Sequence, residues 1–266
     1  MSALSLNEIL EHLRIAYVMV INLDRRRDRW GYVSAHLRER GLQHFTRVSA
    51  VDGRALPAGS LDLLSARARA LIQRRRRWHH EEMHELGSVG AALSHLGLWQ
   101  RLADTADERW LILEDDIRIE DSLEGVVGRA LAEIPDRFDA LLLGHHANFP
   151  GCEPVSEVEM LSPMIATSMR FYGSHAYALS ASGAAVLAAR ARPLWIHVDQ
   201  LISHLCHSRE VDGYFVIPSV VSQLEDIFGS DIISATEASE RDLRVTFLPW
   251  GRFPDQTTAP PDDDES

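Results

Sequence analysis

Ile15-Ala-Tyr-Val-Met-Val-Ile21 is a continuous apolar run, and it decides the fold class of this sequence. Runs of this kind, rich in β-branched residues and without polar alternation, are typical of strands buried on both faces. A helix is predicted from about Asp28 to Arg40, because Gly41 can end it in the C′ position. Residues 45–51 then read as a second short strand. Strand, helix and strand in this succession predict an α/β sheet.

The same alternation continues along the chain. A helix is predicted over residues 88–102, and Trp110-Leu-Ile-Leu113 is a short strand with Glu114-Asp115-Asp116 at its carboxyl end. Further elements are predicted at 61–72 (a helix continuing through 74–77), 123–134 (helix), 138–143 (strand), 176–179 (strand) and 182–191 (helix). We therefore predict one α/β domain over residues 1–252 with a mixed, mostly parallel central sheet. Residues 253–266 are rich in Pro and Asp and are predicted to be a disordered acidic tail.

The composition excludes several classes of protein. Acidic residues outnumber Lys and Arg by 39 to 27, and a formal charge of −12 argues against a nucleic-acid-binding protein. All the residues in the Lys and Arg count are Arg, which excludes chemistry that needs a lysine amine. Two cysteines are too few for a disulfide framework or a Cys-based zinc cluster. Since no secretory signal or long apolar stretch is present, we expect a cytoplasmic protein, peripheral at most at the inner face of a membrane, without an integral membrane segment.

Three consecutive acids, Glu114, Asp115 and Asp116, are costly after a buried strand unless they face water or a cation. Ligands of open α/β sheets bind at the carboxyl ends of strands. Because alternate residues at a strand end point to the same side, Glu114 and Asp116 can share one ligand while Asp115 faces away. Clustered carboxylates favour Mg²⁺ or Mn²⁺. A solvated turn after an edge strand is the alternative, and the spacing alone leaves both open.

Several short motifs occur together with these acids, in a fixed order. They are Val20-Ile-Asn-Leu-Asp24 with Asp28-Arg29, Ala50-Val-Asp-Gly53, Gly90-Ala-Ala-Leu-Ser-His95, Leu113-Glu-Asp-Asp116, Gly173-Ser-His-Ala-Tyr177, Ser180-Ala-Ser-Gly-Ala184, Val198-Asp199, and Gln223 with Ser230-Asp-Ile232. Over residues 15–233 the chain thereby resembles glycosyltransferase family 25, the family of lipooligosaccharide and procollagen galactosyltransferases.

The resemblance implies a GT-A-like, Rossmann-like fold and an inverting, metal-assisted transfer of a hexose. The implied donor is a UDP-sugar, with galactose as the expected hexose, and the implied acceptor is a hydroxyl of a glycan, a lipid-linked or protein acceptor, or another surface polymer. Glu114 and Asp116 take the position of that fold's Asp-x-Asp element, where Mn²⁺ or Mg²⁺ neutralises the leaving diphosphate. The implied nucleotide-sugar site consists of Asn22, Leu23, Arg29, Asp52, Gly53, Ser94 and Asp115. Asn22 and Asp52 have an alternative interpretation as strand-end caps.

An inverting displacement needs a general base for the acceptor hydroxyl. Asp199 matches the late acid of the family and is the first candidate, with Asp226 and Asp231 in reserve. The alternative is that Asp199 only caps the helix that begins near Gln200. His95 is expected to be a hydrogen-bonded core histidine. The roles of His175 and His197, as metal or phosphate contacts, are left open.

The chain departs from the family pattern at two positions. The family carries an acid and a Cys before the Ser-His pair, where this sequence has Ser88 and Ala91. The first change favours a different class of function, a pseudoenzyme that binds a nucleotide-sugar without turnover. Residues 55–84 match no motif of the family, and together with residues 145–172 they are predicted to select the acceptor. The oligomeric state is not readable from the sequence.

A second motif predicts a different chemistry. His80-Glu-Glu-Met-His84 satisfies H-E-x-x-H, in which His80 and His84 would bind zinc and Glu81 would act as base. A third histidine, required at the next ligand position of the longer motif, is replaced by Gly90. The charged surroundings favour an exposed helix with Arg-to-Glu pairing, which makes a zinc hydrolase the least favoured function. The Arg74–Arg77 run likewise favours a solvated helix face over binding to phosphates of a lipid-linked acceptor.

Overall fold

The computed structural model describes residues 4–57, 59–146, 158–232, 246–250 and 252–260. The strands are β1 (Ile15–Asn22), β2 (Thr46–Ser49), β3 (Arg109–Glu114), β4 (Ile117–Ile119), β5 (Ala140–His146), β6 (Val158–Ser162), β7 (Ile165–Met169), β8 (Tyr172–Ser180), β9 (Gly213–Val216) and β10 (Val221–Gln223). The helices are α1 (Leu6–His12), α2 (Arg27–Glu39), α3 (Ala66–Arg74), α4 (Leu86–Ala103), α5 (Leu123–Ala130), α6 (Ala181–Arg190), α7 (Val198–His207) and α8 (Glu225–Phe228). Short 3₁₀ turns occupy Gly53–Ala55 and Ser60–Leu63.

Eight of the strands form one sheet in the order β2-β1-β3-β8-β5-β9-β7-β6. The pairings place six strands in one direction, while β7 and β8 run in the other. β4 and β10 pair separately as an antiparallel ladder. The predicted α/β fold with a mixed, mostly parallel sheet is confirmed, and the arrangement is Rossmann-like and GT-A-like.

The sheet is buried on both faces, as the apolar runs of β1 and β3 predict. Met19 and Ile21 pack into one hydrophobic cluster, while Val18 and Val20 pack into the cluster on the opposite face. In the parallel β1–β3 pair, Ile21 lies opposite Glu114. The two strands therefore end at the same edge of the sheet, and this edge carries the acids.

Several predicted elements are confirmed with small changes of boundary. α2 ends at Arg40 as its C-cap, and Gly41 follows with a φ of +89°. The helix predicted over residues 88–102 begins two residues earlier, at Leu86. Ser180 caps α6, and its hydroxyl accepts a hydrogen bond of 3.0 Å from the Gly183 N–H.

The predictions for residues 74–84 are wrong. α3 ends at Arg74, and Arg75 takes a left-handed conformation with a φ of +49°. Residues 80–84 form turns and extended backbone instead of an exposed helix, and Glu81 is completely buried. The reason is a long-range one, because the Glu81 carboxylate accepts hydrogen bonds from Arg170 at 2.7 Å and from the Leu248 N–H at 3.1 Å.

The end of the described chain lies against α3. The Ser65 hydroxyl donates a hydrogen bond of 2.9 Å to Gln256, and Arg74 donates one of 3.0 Å to the carbonyl oxygen of Pro260. Residues 261–266 of the predicted acidic tail, and residues 147–157 of the predicted acceptor region, lie outside the described residues. The domain boundary at residue 252 and the disorder of the tail stay predictions. Among the described helices, none combines the length and the apolar character needed to cross a bilayer.

Candidate functional site

An open cleft of about 240 Å³ lies at the carboxyl edge of β1 and β3. Its lining includes nine of the ten residues predicted for the site, namely Leu23, Arg29, Asp52, Gly53, Ser94, Glu114, Asp115, Asp116 and Asp199. Asn22 is not part of the lining and lies beneath it, 1% exposed. The cleft therefore brings together residues that are up to 176 positions apart in the chain, from Leu23 to Asp199.

Glu114 and Asp116 lie on the same side of the strand end, as predicted. The Gln223 side-chain amide bridges them, since its Nε2 lies 3.3 Å from Glu114 Oε2 and 3.3 Å from Asp116 Oδ1. Asp116 is 3% exposed, and burial together with the charge of Glu114 raises its pKa to about 7. Two carboxylates held close together in a buried place repel each other, and a hard divalent cation bound between them would remove this repulsion.

Asp115 also lines the cleft, although it was predicted to face away, and it is held by two partners. Asn22 Nδ2 donates a hydrogen bond of 2.6 Å to Asp115 Oδ2, and Arg29 Nη1 donates one of 3.0 Å to Oδ1. Burial raises the pKa of Asp115, although both contacts lower it. The same Arg29 Nη1 lies 3.0 Å from Asp116 Oδ2, so the guanidinium, itself 6% exposed, sits between the two carboxylates. Its place in the structure is that of a counter-ion to the acids, and a contact to phosphate stays a prediction.

His95 is buried, as predicted, and it contacts Glu114. Its Nδ1 lies 2.7 Å from the Tyr177 hydroxyl, which also accepts a hydrogen bond of 2.9 Å from Trp99 Nε1. Its other ring nitrogen lies 3.6 Å from Glu114 Oε1. Burial raises the pKa of Glu114, but His95, together with smaller effects of His175 and Arg29, outweighs burial, and the pKa is lowered overall. This arrangement keeps Glu114 ionised next to the buried Asp116.

The loop after β2 is packed directly on α4. A Cβ added to Gly53 would lie 2.1 Å from the carbonyl oxygen of Leu86, and one added to Gly90 would lie 2.5 Å from that of Val51. The Ser94 hydroxyl accepts a hydrogen bond of 2.8 Å from the Val51 N–H. Only glycine fits at these contacts, so Gly53 and Ser94 fix the position of the loop on the cleft wall.

Asp52 and Asn22 have local partners as well as a place at the cleft. Asp52 Oδ1 accepts a hydrogen bond of 3.0 Å from the Arg54 N–H and caps the 3₁₀ turn Gly53–Ala55, whereas the alternative interpretation predicts a cap at a strand end. Its Oδ2 accepts one of 2.7 Å from Arg25 Nε. Asn22 Oδ1 accepts a hydrogen bond of 2.7 Å from Arg47 Nε. Asp52 therefore caps the turn and also lines the cleft.

Asp199 lies in the first turn of α7 and is half-buried. Its Oδ2 accepts a hydrogen bond of 2.8 Å from the Gly173 N–H, and its Oδ1 accepts one of 2.8 Å from the Gln200 N–H. Burial raises its pKa from 3.8 to about 6, although both hydrogen bonds lower it. The carboxylate is oriented by the backbone and has a pKa near neutrality, which suits a general base.

The two reserve candidates are less suited to that role. Asp226 is exposed and does not line the cleft. Asp231 lines the cleft, but Arg25 Nη1 donates to it at 2.6 Å, Arg26 also donates to it, and the Arg29 guanidinium lies 3.5 Å away. These cations lower the pKa of Asp231 in spite of burial. A carboxylate held by three guanidinium groups is a weak base.

The remaining histidines of the sequence prediction are neutral in this environment. His175 is fully buried, its Nε2 hydrogen-bonds the Val221 carbonyl at 2.8 Å, and burial lowers its pKa to about 4. His197 lines the cleft, its Nε2 lies 3.1 Å from the Glu82 carbonyl oxygen, and burial lowers its pKa well below 6.5. Neither is arranged as a cation for phosphate.

The zinc interpretation of His80-Glu-Glu-Met-His84 fails on geometry. The segment is not helical, so the two histidines do not share a helix face. Glu81 is committed to Arg170 and the Leu248 N–H, which leaves it unsuited to act as a base. Among the described residues, no group of three His, Cys, Asp or Glu side chains is placed to hold a metal ion.

The cleft is strongly acidic. Its lining contains the carboxylates Asp52, Glu114, Asp115, Asp116, Asp199, Glu225 and Asp231. Against these seven acids stand the guanidinium groups of Arg25, Arg29 and Arg77. A diphosphate entering this cleft needs additional positive charge, and Glu114 and Asp116 supply oxygen donors of the kind that hold Mg²⁺ or Mn²⁺ together with phosphates. The residues present therefore fit such a cation.

Three lining residues had no role assigned from the sequence. Gln223 bridges the acids, Gln200 follows Asp199, and Tyr172 lies at the start of β8 beside Gly173. Gln223 appears among the motifs that carry the family resemblance, which is a signal for its place. Nothing in the local sequence marks Gln200 or Tyr172.

The fold and the cleft define an α/β protein of the GT-A-like class. Residues 16–202 match the family described as glycosyltransferase family 25 (LPS biosynthesis protein). The chain therefore belongs to glycosyltransferase family 25, which confirms the resemblance of its motifs.

Individual relatives agree with this assignment. Procollagen galactosyltransferase 2 of Homo sapiens is 28% identical over 172 residues, which are 63% of this chain and 26% of the human protein. A glycosyltransferase 25 family member of Drosophila pseudoobscura pseudoobscura is 31% identical over 197 residues, 71% of this chain and 30% of the relative. A probable inactive glycosyltransferase 25 family member 3 of Bos taurus is 29% identical over 175 residues, 65% of this chain and 28% of the relative. The match thus covers less than a third of the length of these curated relatives.

Proposed function

We propose that the chain transfers galactose from UDP-galactose to a hydroxyl group of a glycan or another surface-polymer acceptor, with inversion at the anomeric carbon. The observation that carries this proposal is the meeting of Glu114, Asp116 and Asp199 in one cleft at the carboxyl edge of the sheet. The first two offer a place for a cation and a diphosphate, and the third offers a base. Galactose is supported by the relatives named procollagen galactosyltransferase.

The donor half of the site is formed by the acids of β3 and the loop after β2. Glu114 and Asp116 would hold Mn²⁺, or Mg²⁺, and Asp52 and Gly53 would line the place of the nucleoside. The cation supplies Lewis-acid neutralisation of the charge that develops on the leaving diphosphate. Because the described residues offer two carboxylates and no third ligand, phosphate oxygens and water would complete the coordination.

The acceptor half is assigned to Asp199. Its carboxylate would take the proton of the acceptor hydroxyl while the acceptor oxygen forms its bond to the anomeric carbon and the bond to the diphosphate oxygen breaks. The two backbone N–H groups of Gly173 and Gln200 hold the carboxylate in one orientation during this transfer. The acceptor is proposed to be a saccharide or polymer hydroxyl of the kind implied by the family description.

The test is UDP release from UDP-galactose and related UDP-sugars, with Mn²⁺ and with EDTA. We expect UDP release to require the cation and to be lost in Asp116→Asn, because that change removes the negative charge and one oxygen donor of one of the two carboxylates proposed to hold the cation. Asp121→Asn is the matched control, since Asp121 is a fully exposed acid five residues further along. Release that is unaffected by Asp116→Asn or by EDTA would contradict the proposal.

A second candidate is a protein that binds a nucleotide-sugar without turning it over. It is favoured by Ser88, which stands where the family carries an acid, and by similarity to a relative named as probable inactive. The two candidates differ in one observable quantity. A binding protein would show affinity for UDP-sugars, but no UDP release with any acceptor offered.

A further inference from the structure

Two buried side chains of the cleft wall, Ser88 and Gln200, each carry an oxygen atom that has no hydrogen-bond partner among the described residues. Ser88 is 2% exposed, and its hydroxyl has no partner there. Gln200 is 1% exposed; its Nε2 donates a hydrogen bond of 2.7 Å to the Phe171 carbonyl, while its Oε1 has no partner there. Both residues line the cleft. Buried polar groups without a partner are rare and costly, so each calls for an explanation.

The two residues lie in the first turns of neighbouring helices. The segments that lead into α4 and α7 are hydrogen-bonded to each other, from the Met83 N–H to the Trp195 carbonyl at 2.9 Å and from the His197 N–H to the Glu81 carbonyl at 2.9 Å. The two helices therefore begin side by side at the cleft. Ser88 is the third residue of α4, and Gln200 is the third residue of α7.

Their neighbours place Ser88 on the helix face that carries His95, and Gln200 next to the proposed base. Ser88 and His95 are seven residues apart on α4 and so share one helix face. His95 contacts Glu114 at 3.6 Å, which directs that face toward the acids of β3. Gln200 directly follows Asp199, and its N–H donates to the Asp199 carboxylate.

The chemistry of the two groups fits sugar hydroxyls. With its Nε2 committed to Phe171, the free Oε1 of Gln200 can only accept a hydrogen bond, and the Ser88 hydroxyl can both donate and accept. A ligand hydroxyl complements both. A second anionic group is disfavoured, because seven carboxylates already line the cleft against three guanidinium groups.

We propose that Ser88 and Gln200 form the subsite that binds hydroxyl groups of the transferred hexose and thereby selects the donor sugar. This rests on the proposed function, since it takes UDP-galactose as the donor. The polar pair recognises the sugar, whereas the loop at Asp52 and Gly53 recognises the nucleoside. A site built to pair with a substrate hydroxyl rejects an analogue that lacks it, because its buried polar groups are then left unpaired.

The experiment compares Ser88→Ala with the wild type in two measurements: UDP affinity by calorimetry, and kcat/KM for UDP-galactose from UDP release. We expect kcat/KM to fall about fivefold to tenfold, the usual effect of one hydrogen bond, with UDP affinity unchanged. Tm should stay the same or rise, since the Ser88 hydroxyl has no partner among the described residues and Ala is the better helix former. Ser34→Ala is the control, as that buried hydroxyl bonds the Gly31 carbonyl within α2 and lies outside the cleft lining.

Deoxy analogues of the donor identify the contact. One UDP-deoxygalactose should lower the kcat/KM of the wild type by the same factor by which Ser88→Ala lowers kcat/KM for UDP-galactose. With that analogue as donor, Ser88→Ala and the wild type should have the same kcat/KM. Gln200→Leu is a second variant, for which we expect the same fall in kcat/KM with unchanged UDP affinity. If Gln200→Leu does not fold, the results for Ser88→Ala alone test the sugar subsite.

The remaining outcomes separate this inference from the proposed function. Unchanged kcat/KM in Ser88→Ala, or an equal fall in UDP affinity, would overturn the sugar subsite while the transferase stands. A lower Tm in Ser88→Ala would assign Ser88 a structural role and also overturn it. If the wild type bound neither UDP nor any UDP-sugar, the proposed function itself would be wrong.

Discussion

Replacing Arg29 by Met should destabilise the protein strongly, because one buried guanidinium balances several acids. Arg29 is 6% exposed, and its Nη1 lies 3.0 Å from both Asp115 and Asp116. Met fills a similar volume but leaves both carboxylates without their counter-ion. Removing one partner of a buried ion pair costs about 3–5 kcal/mol. For a chain of this size, that corresponds to a fall in Tm of roughly 6–20 °C.

The measurement is the free energy of unfolding in urea, with Arg40→Met as the matched control. Arg40 also contacts two acids, Asp121 at 3.0 Å and Glu124 at 2.6 Å, but Asp121 is fully exposed and Glu124 is partly exposed. Exposed pairs contribute about 0–1 kcal/mol, so the control should lose less than Arg29→Met. A loss in Arg29→Met that is no larger than the loss in Arg40→Met would refute the assignment of Arg29 as the counter-ion of the cleft acids.

Three further predictions concern other parts of the structure. Burial raises the pKa of Asp199 to about 6, and a general base acts in its ionised form. Below pH 6, kcat/KM for UDP release should therefore fall tenfold for each pH unit. A kcat/KM that stays constant down to pH 5 would contradict the role of Asp199. Gly53→Ala should lower the free energy of unfolding by about 1–3 kcal/mol, because the added methyl group overpacks against a carbonyl oxygen of α4. The control Gly97→Ala should be neutral or stabilising, since no atom lies within 4 Å of its added methyl group. Equal effects of the two changes in thermal unfolding would contradict the packing of the loop on α4. Glu81→Gln should lower stability by about 3–5 kcal/mol, because it removes the negative charge from the buried Glu81–Arg170 ion pair. A stable variant that loses a zinc-dependent hydrolysis would instead support the zinc motif.

Much of the fold and of the site follows from local patterns of the sequence. The apolar run of β1 predicts a buried strand, and Gly41 predicts the end of α2, because both signals lie within a few residues of the element they describe. The place of Glu114 and Asp116 on one side of a strand end follows from strand geometry alone. The nucleotide site, by contrast, was predicted from the family resemblance rather than from any single motif.

The parts that were mispredicted depend on distant partners. The pattern of charges around Glu81 is typical of an exposed helix, but Arg170 and Leu248 bury it from positions far along the chain. The orientation of Gln200, similarly, depends on the carbonyl of Phe171. Periodicity and propensity describe near neighbours, so contacts of this kind leave no signal in a single sequence.

The most direct test of the account follows ¹³C-labelled UDP-galactose by NMR in the presence of Mg²⁺, which is diamagnetic and leaves the anomeric signals sharp. Galactose in this donor has the α configuration, and an attack assisted by Asp199 from the opposite face inverts it. We predict that the first product, whether a transferred galactoside or free galactose from slow hydrolysis, carries the β anomeric signal, and that Asp199→Asn slows its formation by about 10²–10⁴-fold. An initial α product, or a donor left intact with every acceptor offered, would contradict the central claim.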